Sequence, residues 1–235
     1  MRGLNTVHSS EVEASFQNPL DAALVDWFSS FEDNPPAGLA HLSAKERSVF
    51  AGVVSIWQGL VDPNGQGINH CAHTSYLVRN ILRLAGGVDS DPVTVTVDLT
   101  TTTGENVALG HRNPKIRRQP SGYQSWTGHE IVYIPAWFLA LDLTIGQISL
   151  LHPNLAGSLV DPVTEKLAEA PRLGTTFTTT VLASGGAPFG NATYTVCRAN
   201  YSYRDAQGWA EQQVELDRGV EGAVQILKAA GISTA

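Results

Sequence analysis

The sequence predicts an α+β fold in which N-terminal helices pack on an antiparallel β-sheet. Two changes of pattern lead to this prediction. Over roughly the first 90 residues, apolar side chains recur at helical spacing. From residue 93 onward apolar and polar residues alternate instead, as in strands that are buried on one face. Helices followed by antiparallel strands are typical of the α+β class, whereas alternating strands and helices would predict a parallel sheet.

The length and composition fit one domain with a substantial core. The chain has 235 residues, of which 43% are hydrophobic, and this suits a single large domain. We expect a loose N-terminal arm at residues 1–17 and a single α+β catalytic domain at residues 18–235. Within that domain we expect a core at about 48–150 and a C-terminal hairpin and helix at 176–230.

The charge and the cysteine content exclude several classes of protein. A net charge of −7 disfavours nucleic-acid binding, which calls for a basic face. No apolar run reaches the length of a membrane span, and the polar N-terminus lacks the apolar region of a signal peptide. Cys71 and Cys197 are the two cysteines, too few for a disulfide framework and consistent with a reducing cytosol. We therefore expect a cytoplasmic protein, and a single structural disulfide is the alternative. Cys197 lies in a predicted strand of alternating residues, so we expect it to pack in the core.

Three helices are predicted in the N-terminal part. Asn18 caps the first, and Ser43 with Glu46 forms a capping box that begins the second. The third runs from about Cys71 to Ala85 and ends at a Gly-Gly pair, which is a C-terminal cap signal.

The remaining chain predicts strands joined by turns, with one basic loop. Residues 111–124 are polar and rich in arginine, and we expect them to form that loop. Asp161-Pro162 predicts a short helix that ends near Ala170. A turn at Gly185–Asn191 separates the last two predicted strands. The predicted strands and the final helix are Val93–Leu99, Val107–Leu109, His129–Ile134, Phe138–Leu143, Phe177–Leu182, Thr193–Tyr203 and Gln213–Ala230.

Cys71 is a candidate nucleophile because of where it lies. It follows a glycine-rich stretch at residues 65–69 and is the first residue of a predicted helix. The unpaired N–H groups and the dipole at a helix N-terminus favour the thiolate form of a cysteine, which is the reactive form. A nucleophile of this kind also needs a base close by.

His129 and Asp142 are the candidate partners of that cysteine. Gly128 precedes His129 at the start of a strand, and its missing side chain lets another backbone come close. The next strand returns antiparallel, so Asp142 lies beside His129 and can hold the second nitrogen of the imidazole. The order Cys71, His129, Asp142 predicts a catalytic triad.

Three segments of the sequence resemble a known superfamily. They read NHCAHTSYLVRNILRLAGG, TGHEIVYIP and LALDLTIGQ, and they resemble the transglutaminase-like branch of the papain-like cysteine enzymes. The order of Cys, His and Asp is also similar to that of arylamine N-acetyltransferases. The resemblance covers residues 48–150 and includes Asp142-Leu143-Thr144 followed by Gln147. It implies a papain-like or transglutaminase-like core and acyl transfer through a thioester. The chain departs from many members of the family because His70, and not Trp or Gly, precedes the cysteine.

Acyl transfer also needs a group that stabilises the oxyanion. The backbone N–H of Cys71 is one candidate donor, and the side-chain amide of Gln66 or Asn69 is the second. Gln58 is a weaker candidate because it lies at the predicted end of the second helix.

Substrate contacts are predicted around the histidine. Trp126, three residues before His129, is expected to form a wall of the cleft. Arg117, with Arg112 and Arg118, either steers an anionic substrate or belongs to a lid over the site. The alternative is an ordinary solvated surface loop.

His70, Cys71 and His73 are close together in the sequence and are candidate ligands of a metal ion. A structural zinc needs three or four ligands in a tetrahedron. Cys71 would point about 100° away from its helical neighbour, and no second ligand motif occurs in the chain. We therefore expect no metal and no cofactor.

Together these patterns predict a cysteine-dependent enzyme that hydrolyses a peptide, isopeptide or amide bond. The expected substrate is a peptide, a protein or a small amide or acyl compound, and no prediction of oligomeric state is made. Transfer of the acyl group to an amine, as in a transglutaminase or acyltransferase, is an alternative. A non-catalytic binding protein on the same fold, with the C-terminal hairpin and helix as docking surface, is another.

Overall fold

The structure is a computed structural model that describes residues 35, 37–61, 71–118, 124–152, 155, 160–183, 186–198, 204 and 209–232. The helices in these ranges are α1 (Ala44–Val61), α2 (Cys71–Gly86), the single turn α3 (Ile148–Leu151) and α4 (Trp209–Ala229). The helix predicted after Asn18 lies outside the described residues. None of the described helices is long and apolar enough to span a membrane.

The predicted capping box begins α1. The Ser43 N–H donates to Glu46 Oε2 at 2.8 Å, and the Glu46 N–H donates back to Ser43 Oγ at 3.3 Å. The second oxygen of Glu46 accepts a hydrogen bond from Trp137 Nε1 at 3.0 Å. Glu46 therefore caps α1 and also fixes it to the 3₁₀ turn Pro135–Trp137.

The strands form an antiparallel sheet with a small separate hairpin. The strands are β1 (Asp91–Thr101), β2 (Asn106–Leu109), β3 (Ile116–Arg118), β4 (Gln124–Trp126), β5 (His129–Ile134), β6 (Leu139–Asp142), β7 (Val163–Lys166), β8 (Thr176–Leu182) and β9 (Pro188–Val196). The large sheet has the order β7-β6-β5-β1-β9-β8, and β2 pairs with β1 outside this path. Strands β3 and β4 pair only with each other. The α+β class with an antiparallel sheet is therefore confirmed.

Both faces of the sheet are covered by apolar side chains. Val132 and Ile134 of β5 belong to the cluster that contains the buried faces of α1, α2 and α4. Ile131 and Tyr133 point the other way, into a second cluster formed by β1, β9 and the segments around them. All six residues of β5 are buried for this reason, so the strand that begins at His129 runs through the middle of the molecule.

The C-terminal hairpin is part of the same sheet. Strand β9 pairs with the central strand β1 over seven residues, with Thr96 opposite Thr195. It begins at Pro188, inside the segment predicted as a turn, because the alternation of buried residues continues back to Gly190. A Cβ at Gly190 would lie 2.5 Å from the Thr100 carbonyl oxygen, so this close strand pairing requires glycine.

The helix predicted from Asp161 to Ala170 is wrong, because this segment contains β7. Val163 pairs with Asp142 and Lys166 with Leu139 at the edge of the sheet. Val163 and Thr164 have β-branched side chains, which suit a strand, and the open edge of β6 offers backbone partners. Asp161 also donates its N–H to the Leu182 carbonyl at 2.9 Å, which brings the two ends of the sheet together.

The predicted basic loop is partly ordered as the β3–β4 hairpin. Arg117 lies opposite Ser125 in this hairpin. Its base is closed by two bonds at 3.0 Å: the Thr127 N–H donates to the Lys115 carbonyl, and the Lys115 N–H donates to Thr127 Oγ1.

Candidate active site

Cys71 is the first residue of α2 and is buried, with 7% of its surface exposed. Two contacts one turn further along fix this end of the helix. Thr74 Oγ1 accepts a hydrogen bond from Trp57 Nε1 of α1 at 2.9 Å. Ser75 Oγ donates to Glu130, the residue that follows His129 in β5. The helix start that carries the thiol is thus attached directly to the strand that carries the histidine.

His129 and Asp142 are in direct contact. In the β5–β6 pair, Val132 lies opposite Leu141, so Asp142 at the end of β6 lies diagonally across from His129 on the same face. His129 Nε2 is 2.8 Å from Asp142 Oδ2, and both side chains are 1% exposed. The short hairpin brings these two residues together as the sequence predicted.

Both carboxylate oxygens of Asp142 are occupied. Besides His129, Oδ2 accepts a hydrogen bond from the Tyr194 hydroxyl at 3.0 Å. Oδ1 accepts from the Thr144 N–H at 2.9 Å and from Thr144 Oγ1 at 3.2 Å. These bonds fix the orientation of the carboxylate. Sequence reasoning missed Tyr194, although its place between Thr193 and Thr195 in an alternating strand marks it as an inward-facing side chain.

The surroundings of His129 favour its charged form. Burial opposes the charge, but the Asp142 carboxylate outweighs it, and the pKa of His129 rises to about 10. The Cys71 side chain also interacts with the ring and raises this pKa. For Tyr194, burial and the neighbouring carboxylate of Asp142 raise the pKa well above its ordinary value, so the phenol keeps the proton that it donates.

Gln147 contacts the other nitrogen of the imidazole. Its Nε2 atom is 2.9 Å from His129 Nδ1, and its side chain is buried. The residue lies in the 3₁₀ turn Ile145–Gln147, five residues after Asp142. The sequence analysis includes Gln147 in the segment after Asp142 but predicts no role for it. The signal for a buried polar role is its place between Ile145 and Ile148, which are both buried.

Glu130 links the site to the C-terminal part of the chain. Its Oε1 atom accepts a hydrogen bond from Arg204 Nη2 at 3.0 Å, and the two side chains are 4% and 25% exposed. Burial raises the pKa of Glu130, while Arg204 and Ser75 act in the opposite direction. The Arg204 guanidinium also lies over the ring of Trp209, the first residue of α4, at 5.9 Å.

His73 faces α4 and not the triad. Its Nε2 atom is 2.9 Å from Gln212 Oε1, and its ring lies 5.5 Å from that of Trp209. Burial lowers the pKa of His73. His70, the third residue of the metal hypothesis, lies outside the described residues. Within those residues, no group of three or more His, Cys, Asp or Glu side chains is placed to hold a metal ion.

Trp126 and Gly128 lie directly before His129. A Cβ at Gly128 would come within 2.1 Å of Trp126 Cζ2. The sequence analysis predicts a second backbone close to Gly128. The close neighbour in the structure is instead the indole ring of Trp126. The ring nitrogen of Trp126 is buried and has no hydrogen-bond partner among the described residues.

The remaining predicted residues are not at the triad or are not described. Arg117 is exposed on β3. Gln66 and Asn69, the predicted oxyanion donors, lie outside the described residues, and so does the side chain of Gln58. Cys197 is a half-buried free thiol after the end of β9, not a core residue, and donates to the Thr195 carbonyl at 3.4 Å.

Comparisons with known proteins return no match for this chain among protein-family models, curated proteins or solved structures. The resemblance to transglutaminase-like enzymes therefore depends on the three sequence segments. Any assignment of function depends on the geometry of the site.

Proposed function

We propose that this chain is a cysteine-dependent acyl-transfer enzyme that hydrolyses a peptide, isopeptide or amide bond. Cys71 acts as nucleophile, His129 as general base and acid, and Asp142 as the residue that orients the imidazole. The observation that carries the proposal is the buried contact of 2.8 Å between His129 Nε2 and Asp142 Oδ2. It commits Nε2 to the carboxylate, so the thiol has to use Nδ1, the nitrogen that Gln147 contacts in this structure.

The position of Cys71 supports its role as the nucleophile. It begins a helix of sixteen residues, where the unpaired N–H groups favour a negative charge on sulfur. It also interacts with a histidine whose pKa is raised to about 10 by Asp142, against the opposing effect of burial. A charged imidazole beside a thiol stabilises the thiolate, which is the form that attacks carbonyl carbon.

The proposed reaction has two steps. In the first, the Cys71 sulfur bonds to the carbonyl carbon and the carbon–nitrogen bond breaks, while the thiol proton passes through His129 to the leaving amine. In the second, the oxygen of a water bonds to the thioester carbon and the carbon–sulfur bond breaks, while a proton of the water passes through His129 to the Cys71 sulfur and the carboxylic acid leaves. An amine that replaces water in the second step would give acyl transfer.

The basic hairpin is the proposed contact for the substrate. The segment that contains it, residues 111–127, starts and ends beside His129. At its start, Gly110 has a φ of +73°, and a Cβ there would lie 3.0 Å from His129 Cβ. At its end, Gly128 directly precedes His129. Residues 111–127 contain four basic residues and no acidic one, in a protein of net charge −7. We propose that Arg117 and its basic neighbours attract substrates with an anionic group near the scissile bond.

Thiol reactivity tests the triad. In protein that carries Cys197→Ser, so that Cys71 is the cysteine left to react, iodoacetamide at pH 6 should label Cys71 at least about tenfold faster than free cysteine, because contact with a charged imidazole favours the reactive thiolate form. His129→Gln should abolish this excess. The half-buried Cys197, tested alone in protein that carries Cys71→Ser, is the matched control and should not exceed the rate of free cysteine.

Acyl probes test the reaction and the substrate class. Mass spectrometry after incubation with neutral and anionic activated esters should detect an acyl adduct on Cys71, formed faster from the anionic ester. Arg117→Gln should reduce this preference, whereas Arg172→Gln, at another exposed position, should not. Labelling of Cys71 no faster than free cysteine, together with no adduct from any ester, would contradict the proposed function.

A further inference from the structure

We propose that Gln147 is a positioning residue for His129. Its side-chain amide holds the Nδ1 atom of the imidazole and competes with the Cys71 thiol for that atom. This inference rests on the proposed function, since the competition matters only if Cys71 is the nucleophile. Gln147 is then a fourth member of the predicted set of Cys71, His129 and Asp142. Its bond to Nδ1 lowers the reactivity of the Cys71 thiol, and loss of that bond raises it.

The first step of the argument is the use of the two ring nitrogens. Nε2 is 2.8 Å from the Asp142 carboxylate, so the thiol must use Nδ1. Gln147 Nε2 already lies 2.9 Å from that same Nδ1 atom. A ring nitrogen has either one lone pair or one N–H in the plane of the ring, so it forms one strong hydrogen bond at a time. Gln147 and Cys71 therefore cannot both be fully bonded to Nδ1.

The second step is the chemistry of the amide. A glutamine side chain offers an NH₂ donor and a carbonyl acceptor, which exchange places when the amide turns by half a rotation. The NH₂ group can donate to Nδ1 of a neutral ring, and the carbonyl can accept from Nδ1–H of a charged ring. Gln147 can thus be a partner of His129 in both protonation states, which neither a purely acidic nor an apolar side chain can do.

The third step is how firmly Gln147 is placed. Its N–H donates to the Thr144 carbonyl at 3.1 Å, and Ile145 and Ile148 on either side are fully buried. Thr144 in turn donates two hydrogen bonds to Asp142. One short segment therefore holds the imidazole at both nitrogens, with Asp142 on one side and Gln147 on the other.

While Gln147 is bonded to Nδ1, the imidazolium donates less fully to the Cys71 sulfur, so the thiolate is less stabilised. The thiolate–imidazolium pair forms fully only when the amide has left that nitrogen. Removal of the amide should therefore increase the reactivity of the thiol.

Two substitutions with side chains of similar length to glutamine distinguish two roles for Gln147: competition with the thiol for Nδ1, and mechanical support of the imidazole. Gln147→Met removes both the donor and the acceptor, so iodoacetamide labelling of Cys71 at pH 6 should become roughly 2- to 10-fold faster, the range that one net hydrogen bond supports. Gln147→Glu keeps an acceptor, and its carboxylate accepts the hydrogen bond from Nδ1–H that the Cys71 thiolate would otherwise receive. We expect labelling at least about tenfold slower, with the pH midpoint of the labelling profile moved upward. Both are measured in the Cys197→Ser background, with melting temperatures to verify folding.

A second measurement reports on Gln147 without any use of the thiol. In protein labelled with ¹⁵N-histidine, the His129 signals are assigned by their loss in His129→Gln. Gln147→Met should shift the Nδ1 signal and leave the Nε2 signal, which reports the Asp142 bond, nearly unchanged. Glu46→Gln, a change at a residue that contacts Ser43 and Trp137 and not the ring, is the control and should shift neither.

The outcomes distinguish the two proposals. A fast-reacting Cys71 whose rate falls in Gln147→Met at unchanged melting temperature overturns the competition and leaves the proposed function intact. An unchanged Nδ1 signal in Gln147→Met overturns the contact itself. A Cys71 that reacts slowly both in the parent protein and in Gln147→Met, together with a shifted Nδ1 signal, contradicts the proposed function while the hydrogen bond from Gln147 stands.

Discussion

Asp142 has the most constrained surroundings of the three proposed catalytic residues. Its two oxygens accept hydrogen bonds from His129, Tyr194 and Thr144, and the side chain is 1% exposed. An asparagine at this position keeps the size but loses the charge. Its NH₂ group also faces at least one donor, so one of these hydrogen bonds becomes a repulsive contact.

Asp142→Asn should therefore reduce the reactivity of Cys71. Without the carboxylate, burial dominates at His129 and its pKa falls from about 10, so the imidazolium that pairs with the thiolate is lost near neutral pH. We expect labelling of Cys71 at pH 6 to fall by about 100-fold, the lower end of the range for a disabled acid–base group. Asp98→Asn, on an exposed position of β1, is the matched control and should leave the rate unchanged.

The raised pKa of His129 also predicts how stability depends on pH. The folded value of about 10 lies above the ordinary 6.5, so the folded state binds the proton more tightly than the unfolded state. The resulting stability is fully present below pH 6.5 and is lost as the pH rises toward 10. In urea unfolding, the stability difference between the parent and His129→Gln should be largest at pH 6 and should shrink at pH 8 and 10. A difference that grows with pH would contradict the assigned charge state.

Single residues were predictable where the signal is local. Cys71 follows a glycine-rich stretch at a helix start, and His129 follows glycine at a strand start, so both were found from their neighbours. Tyr194 lies 52 residues from Asp142 along the chain. No local pattern reports which distant strand places its side chain against a given carboxylate, so its role required the register between β1 and β9.

At the scale of secondary-structure elements, two glycines in the helices test the packing of the helical layer. A Cβ at Gly219 of α4 would lie 3.7 Å from Leu77 Cδ2, an ordinary contact, whereas one at Gly52 of α1 would lie 2.5 Å from Leu227 Cδ2. Gly219→Ala should raise the free energy of unfolding by about 0.5–1 kcal/mol, since alanine has the higher helix propensity. Gly52→Ala should lower it, because overpacking of a buried leucine costs about 1–3 kcal/mol and outweighs that gain.

The two variants are each other's control, since the same substitution is made in the interior of a helix in both. Urea denaturation of both measures the difference directly. An increase in stability at both positions would show that α1 and α4 do not approach as closely at Gly52 as described.

Elements were predicted well where their ends are set by caps and poorly where they depend on pairing. The Ser43–Glu46 capping box and the helix start at Cys71 were found at the observed positions. The proline after aspartate in residues 161–170 predicts the start of a helix, but the free edge of β6 makes Val163–Lys166 a strand. The basic segment reads as a loop in the sequence because two three-residue strands are too short to show an alternation.

At the scale of the whole molecule, the Glu130–Arg204 pair joins the central sheet to the C-terminal part of the chain. Removal of one partner leaves a buried charge without compensation, which costs about 3–5 kcal/mol in buried pairs. Arg204→Gln should therefore lower the free energy of unfolding by about 3 kcal/mol, the lower end of this range, because Arg204 itself is 25% exposed.

Arg218→Gln is the matched control, because Arg218 pairs with Glu215 on the surface, where the side chains are 65% and 72% exposed. Such a pair contributes at most about 1 kcal/mol. Denaturant titrations of the two variants should differ clearly. Equal losses would mean that the Glu130 carboxylate is not held by Arg204.

The contribution of the last 85 residues to the site was the least predictable property. The resemblance to transglutaminase-like enzymes covers residues 48–150 and placed the three proposed catalytic residues, but it made no statement about the last 85 residues. Those residues supply Tyr194 to Asp142 and Arg204 to Glu130. The hairpin that the binding-protein alternative would use for docking is hydrogen-bonded to the middle of the sheet through β9.

The central position of β1 has a consequence for the order of folding. This strand pairs on one side with β5 and on the other with β9, whose residues are synthesised about a hundred positions later. Contacts between residues so far apart in the chain close slowly. During translation Cys71 therefore leaves the ribosome long before the strand that delivers Tyr194, and the nascent chain carries an unassembled site until β9 has been made.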